Sequence, residues 1–595
     1  MVALDRLTQP DADDRAKVLK RAVERNARLR ELAERPLLLT LIAQLQTEKA
    51  GSLPEKRVEL YHAAVDMLLN RWDVMKVTIR EDGSKFVEPS LGEWLNASRE
   101  AIRKELNRLA FEAHRDQADL KGTADIAQDK LFGALVKAST NRAEVKVGAL
   151  ENYLRDRAGI LSAHGVGFYQ FPHRSFQEYL AACHLTDDNF PGQLADLART
   201  DPDRWREVTL LAGAKAAGGS SLTTWALSET LCPALPPEGA APIADHWGAL
   251  LAGCVLVESA DLAAVEGHNQ EKLARIKEWQ RAIMRRNTLA AVERALAGRS
   301  LAVLGDPRPE IMSLDGMHFC HVPAGPFTMG SSNNDKKSSS EEKPQHQVNL
   351  SYAYYIGRFP VTAAQWRQYL KFGGVALGRD VSFGARDNDP VVNVSWHEAM
   401  GFCDFLTQHW RDLLPTGYVV TLASEAEWEK AARGGEEIPE TADSLLSVHE
   451  CVEKIKHNHP VRLKSNSSRK RIYPWGETFD DDKGNADVAI GETSAVGCYP
   501  MGFSPYGCED MAGNVWEWTR SLWGKDWSNP EFKYPYDPND GLRENIHAEN
   551  DVLQVVRGGS GFNFHVDARC ACRYWFNPDD RFSYLGFRLV LRPQF

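Results

Sequence analysis

The chain reads as a multidomain protein, with an α-helical, winged-helix N-terminal part followed by an α+β C-terminal domain. Three observations lead there. Residues 13–34 are dense in Arg, Glu, Ala and Leu, strong helix formers, and helical spacing recurs to about residue 300. From residue 311 Trp, Gly, Asn and Asp rise and long helical patterns thin out. At 595 residues the chain is also too long for one core. The expected divisions are 1–190, 191–305 as a helical spacer, and 306–595.

Composition excludes some functions. A net charge of −11 argues against nucleic acid as a partner, since phosphate binding needs a basic face. No apolar run reaches the length of a membrane span, and Met1-Val2-Ala3-Leu4-Asp5-Arg6 lacks the apolar core of a signal peptide. The ten cysteines are scattered without a C-x-x-C pair, which fits reduced thiols and a cytoplasmic protein.

In chain order, Pro36 suits the first turn of a helix. Leu53-Pro54-Glu55-Lys56-Arg57 starts another, which carries Leu60, Tyr61, Ala64, Leu68 and Trp72 at helical spacing. A helix is expected over 149–163, a turn at His164–Gly167, a strand over 168–171 and a helix from Arg174. Helices followed by a small hairpin predict a winged helix. In the spacer, Trp205 starts a helical run that Gly218-Gly219-Ser220-Ser221 breaks, and Glu266–Ala297 carries a long amphipathic pattern. Gly305-Asp306-Pro307-Arg308-Pro309 marks the linker.

Three of these stretches, R-P-L-L-L-T-L-I-A, L-P-E-K-R-V-E-L-Y and F-P-H-R-S-F-Q-E-Y-L-A-A, resemble the C-terminal half of a NACHT module, found in signal-transducing NTPases. The resemblance implies that Pro36 lies by an adenine, that His173 contacts a nucleotide phosphate, and that oligomers form through the NTPase portion. The local alternative makes His173 a helix N-terminal residue bonding its neighbours. No G-x-x-x-x-G-K-[ST] occurs, so the chain has no backbone cradle for phosphates. The expectation is a fragment that starts after the phosphate-binding half and does not hydrolyse ATP itself.

The C-terminal part offers helix starts at Thr362, Ser395 and Ser424, the last two with Glu398 and Glu427 in capping-box spacing. Its motifs stand in order: V-P-A-G-P-F-T-M-G-S, E-E-K-P-Q-H-Q-V, P-V-V-N-V-S-W-H-E-A, L-A-S-E-A-E-W-E-K-A-A-R-G, Y-P-W-G, D-M-A-G-N-V-W-E-W-T, R-G-G-S and L-G-F-R. Together they resemble the formylglycine-generating enzyme (sulfatase-modifying factor) family, which implies a C-type lectin-like fold over nearly all of 311–592. The family's oxidase uses two cysteines as a copper site, and the matching positions hold Asn563 and Ala568. Cys570 and Cys572, read on a strand, would share one face and could bind a metal, or be two small buried residues. Nothing supplies the histidine cluster of the family's iron branch. The resemblance also implies a structural Ca²⁺ held by Asp510, Gly513, Val515 and Glu517, with a second site near Asn485.

The last segment, 555–590, organises the functional expectation. Its frame is Arg557-Gly558-Gly559-Ser560, then Arg569, Ala571, Arg573, Pro578 and Arg581, then Gly586-Phe587-Arg588. Seven aromatics fall between 562 and 584 with neither helical period nor clean alternation. The expected ligand-binding residues are Phe562, Phe564, His565, Tyr574, Trp575, Phe576, Phe582, Ser583 and Tyr584, facing a protein or other macromolecule. The segment resembles the variable region of proteins diversified by retroelements that mutate adenines; most of its residue types are reachable from an AAC codon that way, and Trp575 is not. The alternatives are a formylglycine-type oxidase and an unvaried sensor domain of a NACHT switch.

Overall fold

The computed structural model describes residues 57–73, 76–79, 84–140, 160–187, 189–375, 386–440, 445–457 and 461–594, with scattered positions before 57. Pro36 and residues 149–159 lie outside the described residues. The polypeptide forms two compact units, Met1–Pro233 with Trp247–Lys272, and Ala234–His246 with Leu273–Phe595. The stretch 191–305 is therefore shared between them.

In the N-terminal unit, α1 (Arg57–Asp73) buries Leu60, Tyr61, Ala64, Leu68 and Trp72, the stripe its spacing predicts. A hairpin follows, β1 (Lys76–Ile79) with β2 (Lys85–Glu88), then α2 (Leu91–Leu95) and α3 (Arg99–Asp116). Strand β3 (Ile126–Ala127) leads into α4 (Gln128–Ala138). Strands β4 (Ser162–Ala163) and β5 (Phe168–Gln170) complete a three-stranded sheet of order β3-β5-β4, and α5 (Arg174–Asp187) follows. This is the winged helix that the sequence predicts. One end differs: Ser162 and Ala163, expected to close a helix, pair with Gln170 and Tyr169. The sheet partner outweighs local propensity there.

Helices α6 (Gly192–Thr200), α7 (Pro202–Gly219) and α8 (Ser221–Leu231) come next. Ser220 ends α7 and caps α8 through its side chain, at the break the glycines signal. Then come α9 (Ile243–Ser259), α10 (His268–Arg285) and α11 (Ala291–Leu304). The amphipathic stretch 266–297 is thus two helices rather than one. Arg294 stabilises the break, donating from Nη1 to Asn287 Oδ1 at 2.8 Å and to the Leu289 carbonyl at 2.7 Å.

The C-terminal unit adds α12 (Pro309–Met312), β6 (His318–Val322), β7 (Gly325–Met329), β8 (His346–Leu350) and β9 (Tyr354–Gly357). Next are α13 (Ala363–Lys371), α14 (Trp396–His409), β10 (Tyr418–Leu422) and α15 (Glu425–Arg433). Ser395 and Ser424 each cap their helix in a reciprocal box, as the spacing predicts, and Thr362, expected as an N-cap, forms such a box with Gln365. After β11 (Glu437–Pro439), β12 (Leu445–Ser447), α16 (Val448–His457) and β13 (Leu463–Ser465), the chain ends in β14 (Trp516–Gly524), β15 (Leu553–Arg557), β16 (Tyr574–Phe576), β17 (Leu585–Phe587) and β18 (Leu589–Pro593). The last strand sits inside a five-stranded sheet of order β10-β18-β9-β6-β12. A second sheet, β16-β15-β14-β17, carries the site and leaves β16 at its edge.

Candidate functional site

The frame of the last segment is a set of buried ion pairs. Every residue of α15 is buried, including Glu425, Glu427 and Glu429. Such carboxylates are tolerated inside only when paired. Arg573 Nη2 and Arg543 Nη1 each donate to Glu425 Oε1 at 2.9 Å. Arg557 pairs with Glu429 and donates to the carbonyls of Cys570 and Ala571. Burial pushes the Glu427 carboxyl up, but Arg520 more than offsets this and holds it at about 2. Arg569 makes a two-pronged pair with Glu342, 2.7 Å on each side, and Arg581 bonds Glu398 at 3.0 Å. Arg588 grips both oxygens of Glu517 and reaches the carbonyls of Gly357, Arg358 and Glu509. Gly559, at φ +71, takes a left-handed turn so close to Ala568 that a Cβ would sit 2.9 Å from its nitrogen.

On this frame lies a connected row of rings. Phe562 meets Tyr584 at 6.2 Å between centroids, and Tyr584 stacks parallel on Phe582 at 5.2 Å. Phe582 meets Phe576 at 5.0 Å and Phe576 meets Tyr574 at 5.4 Å. Tyr574 stacks on Trp575 at 5.4 Å, and Trp575 meets Trp527 at 6.0 Å. Phe562, Tyr574 and Trp527 are exposed, while Phe582 and Tyr584 are half-buried against the core beneath. Ser583 is exposed beside them.

Two of the expected site residues stand apart. Phe564 is 72% exposed and touches no other ring among the described residues. His565 turns the other way: its Nδ1 pairs with Asp487 at 2.8 Å and its ring stacks on Phe479 at 5.3 Å. Phe576 corrects the sequence reading. It is only 9% exposed and belongs to the core, because β16 leans that side chain over Trp518. Trp527 was not legible as part of the row; its one signal is a tryptophan in the polar run Lys525–Asn529.

With this geometry in hand, comparison with known proteins identifies the domain. Residues 307–593 match the family model described as "Sulfatase-modifying factor enzyme 1-like domain". The C-terminal unit carries a sulfatase-modifying-factor-like domain. Residues 57–185 match the "Winged helix-turn-helix domain C-terminal to NACHT". Among curated proteins, "Serine/threonine-protein kinase pkn1" of Chlamydia pneumoniae is 29% identical over 286 residues, which cover 45% of this chain and 36% of that protein. The "Formylglycine-generating enzyme" of Mus musculus is 28% identical over 258 residues, 41% of this chain and 52% of that protein. The chain thus spans 36% of that kinase's length and 52% of the mouse enzyme's. Among solved structures, "Treponema denticola variable protein 1" aligns with a TM-score of 0.30 at 21% identity, covering 47% of this chain and 95% of that one.

In this sulfatase-modifying-factor-like domain the two positions expected to hold thiols are otherwise employed. Asn563 Oδ1 accepts from Trp516 Nε1 at 2.9 Å and from Ser560 Oγ at 2.5 Å. Ala568 is buried. Cys570 and Cys572 are not on a strand; they lie in the loop before β16 and pack into two different core clusters. Burial pushes the Cys570 thiol up to about 12 and the Cys572 thiol up as well, so neither is a ready thiolate.

The loop Asp510–Glu517, where the resemblance implies a calcium ion, offers a mixed set of donors. Asp510 fits a hard cation. Its carboxylate is buried and accepts from the Gly497 N–H at 2.9 Å, and burial pushes its pKa up to about 7. Glu517 has less need of one, since Arg588 neutralises it and Trp428 Nε1 donates to it at 2.7 Å. The Gly513 carbonyl accepts from the Val515 N–H at 3.0 Å. In the winged helix, His173 Nδ1 accepts from the Ser175 N–H at 3.1 Å, a local bond at the start of α5. Among the described residues no helix is long and apolar enough to cross a membrane.

Proposed function

We propose that the C-terminal domain is a recognition module, and that its ring row from Phe562 to Trp575 takes a protein partner. One observation carries this: the rings are contiguous and partly exposed, yet mounted on ion pairs that do not depend on them. Tyrosine and tryptophan give large contact area for little conformational entropy. On this reading the module serves a cytoplasmic nucleotide-switch protein, whose winged helix precedes it and whose NTPase portion would oligomerise. Ca²⁺ at the Asp510 loop is a structural part of the same proposal. The exposed and half-buried positions 562, 564, 565, 574 and 582–584 would be diversified by a retroelement, with Trp575 as a template residue.

The domain then acts without catalysis. An oxidase of the formylglycine type needs soft thiolates, and Asn563 and Ala568 offer none. Incubating the chain with copper, oxygen and a cysteine-containing sulfatase peptide tests this; no aldehyde is expected, and multiple-turnover formation would replace the binding reading with an enzymatic one. The binding reading is tested by randomising 562, 564, 574, 575 and 582–584 in a display library. Most variants are expected to stay folded, and selection on an arbitrary folded protein is expected to return binders. A library that loses folding throughout refutes a display surface. Diversification is read from flanking DNA, as a near-copy of the last coding segment that differs at adenines.

A further inference from the structure

The displayed segment is bonded to a loop that also caps α11, the last helix of the spacer. Within residues 561–565 the Gly561 carbonyl accepts from the Val488 N–H at 3.2 Å, and the Asn563 carbonyl accepts from the Asp487 N–H at 2.8 Å. The Asp487 carboxylate answers with both oxygens: Oδ1 accepts from the His565 N–H at 2.8 Å and Oδ2 pairs with His565 Nδ1 at 2.8 Å. Four contacts thus join one short segment to Asp487 and Val488.

Those two residues hold an unusual backbone. Asp487 and Val488 lie at φ +56 and +59. A β-branched residue in the left-handed region is a true outlier. Val488 is also 55% exposed, so little packing holds it there. The contacts from 561–565 oppose the strain, together with the turn bond that the Ala489 N–H donates to the Ala486 carbonyl at 3.2 Å.

Five residues earlier, the same loop grips α11. Asp482 Oδ1 accepts from the Ala291 N–H at 3.0 Å, capping the helix from 191 residues away in sequence. Arg294, wholly buried, donates from Nη2 to the Asp482 carbonyl at 2.7 Å and from Nε to the Cys498 carbonyl at 2.8 Å. Between the two grips there is little slack. Asn485 is buried, and a Cβ on Gly484 would meet the Ala512 carbonyl at 2.5 Å. Packed segments of this kind pass a displacement on, since they cannot absorb it.

We propose that residues 480–488 couple the displayed segment to the N-terminal end of α11, so that a partner seated on the segment shifts the cap of the helix that leads back along the chain to the winged-helix part. This rests on the reading of 562–584 as a binding surface. The bistable element is the left-handed pair Asp487-Val488, held when His565 and the carbonyls of Gly561 and Asn563 engage it and relaxed when they do not.

The test needs no partner. Amide hydrogen exchange of the full chain is read by mass spectrometry on the peptide spanning 288–296. His565→Ala and Asp487→Asn are each expected to speed exchange there by about fivefold, the equivalent of one net hydrogen bond. The double variant is expected to be no faster than either single one, since both break one link. Leu542→Ala, at an exposed position outside both the link and the ring row, is expected to leave the rate unchanged. Wild-type rates in both single variants, additive effects in the double, or equal acceleration by Leu542→Ala each overturn the coupling. A surface that captured no partner would leave these rates untouched, so the two readings fail separately.

Discussion

Arg573 donates through Nη2 to Oε1 of Glu425 at 2.9 Å, with both side chains fully buried. Truncating the arginine leaves a charge in the core and removes its stack on Tyr534, 4.6 Å from the ring centroid. Arg573→Ala is expected to cost about 3 kcal/mol, the low end for a broken buried pair, because Arg543 shares the same carboxylate oxygen. Arg573→Lys is not expected to restore it, since a lysine lacks the planar fork. Denaturant unfolding of the full chain measures both.

The ring row divides in stability terms. Phe576→Ala empties a core position and is expected to cost roughly 3–5 kcal/mol. Tyr574→Ala and Phe564→Ala, at exposed positions, are expected to stay within about 0.5 kcal/mol of wild type. Equal melting points for the Phe576 and Phe564 variants would mean that β16 does not carry Phe576 inward.

Ca²⁺ is expected to raise the melting point by mass action, and a chelator to reverse it. Asp510→Asn is expected to abolish the difference. Glu517→Ala is a poor probe, because it also strands the buried Arg588 and destabilises the domain with or without calcium. Identical melts in calcium and in chelator would leave the Asp510 loop to its hydrogen bonds alone.

His114 gives the N-terminal unit an acid-side sensitivity. It is buried, its Nε2 donates to the Arg204 carbonyl at 3.0 Å, and burial pushes its pKa down to about 4. An unfolded histidine titrates near 6.5. As pH falls, the unfolded chain takes the proton first, so stability present above about 6.5 is lost progressively toward about 4. The protection of the peptide around 105–117, relative to intrinsic exchange at each pH, is expected to fall over that window, and His114→Gln is expected to flatten the dependence. A wild-type profile without slope there would mean that the folded histidine also protonates.

Elements with local signatures were legible from residue types alone. The caps at Thr362, Ser395 and Ser424 depend on residues within one turn, and the stripe of α1 on one helical period. The arginine frame showed as a pattern, but its partners did not. Glu342 and Arg569 are 227 residues apart, and nothing in either neighbourhood names the other. Ser162 and Ala163 were misread for the same reason, since their strand exists through Tyr169 and Gln170.

The sequence by itself determined the order of the two parts, the absence of thiols at 563 and 568, and the concentration of aromatics after Gly561. These are questions of composition, spacing and chemical type, which need no partner residue. Only the tertiary structure decided which aromatics face outward, why Phe576 does not, that His565 turns toward Asp487, and that Glu517 is met by an arginine. Exposure and pairing depend on what lies across the fold, and a ring or a carboxylate carries the same letter in either environment.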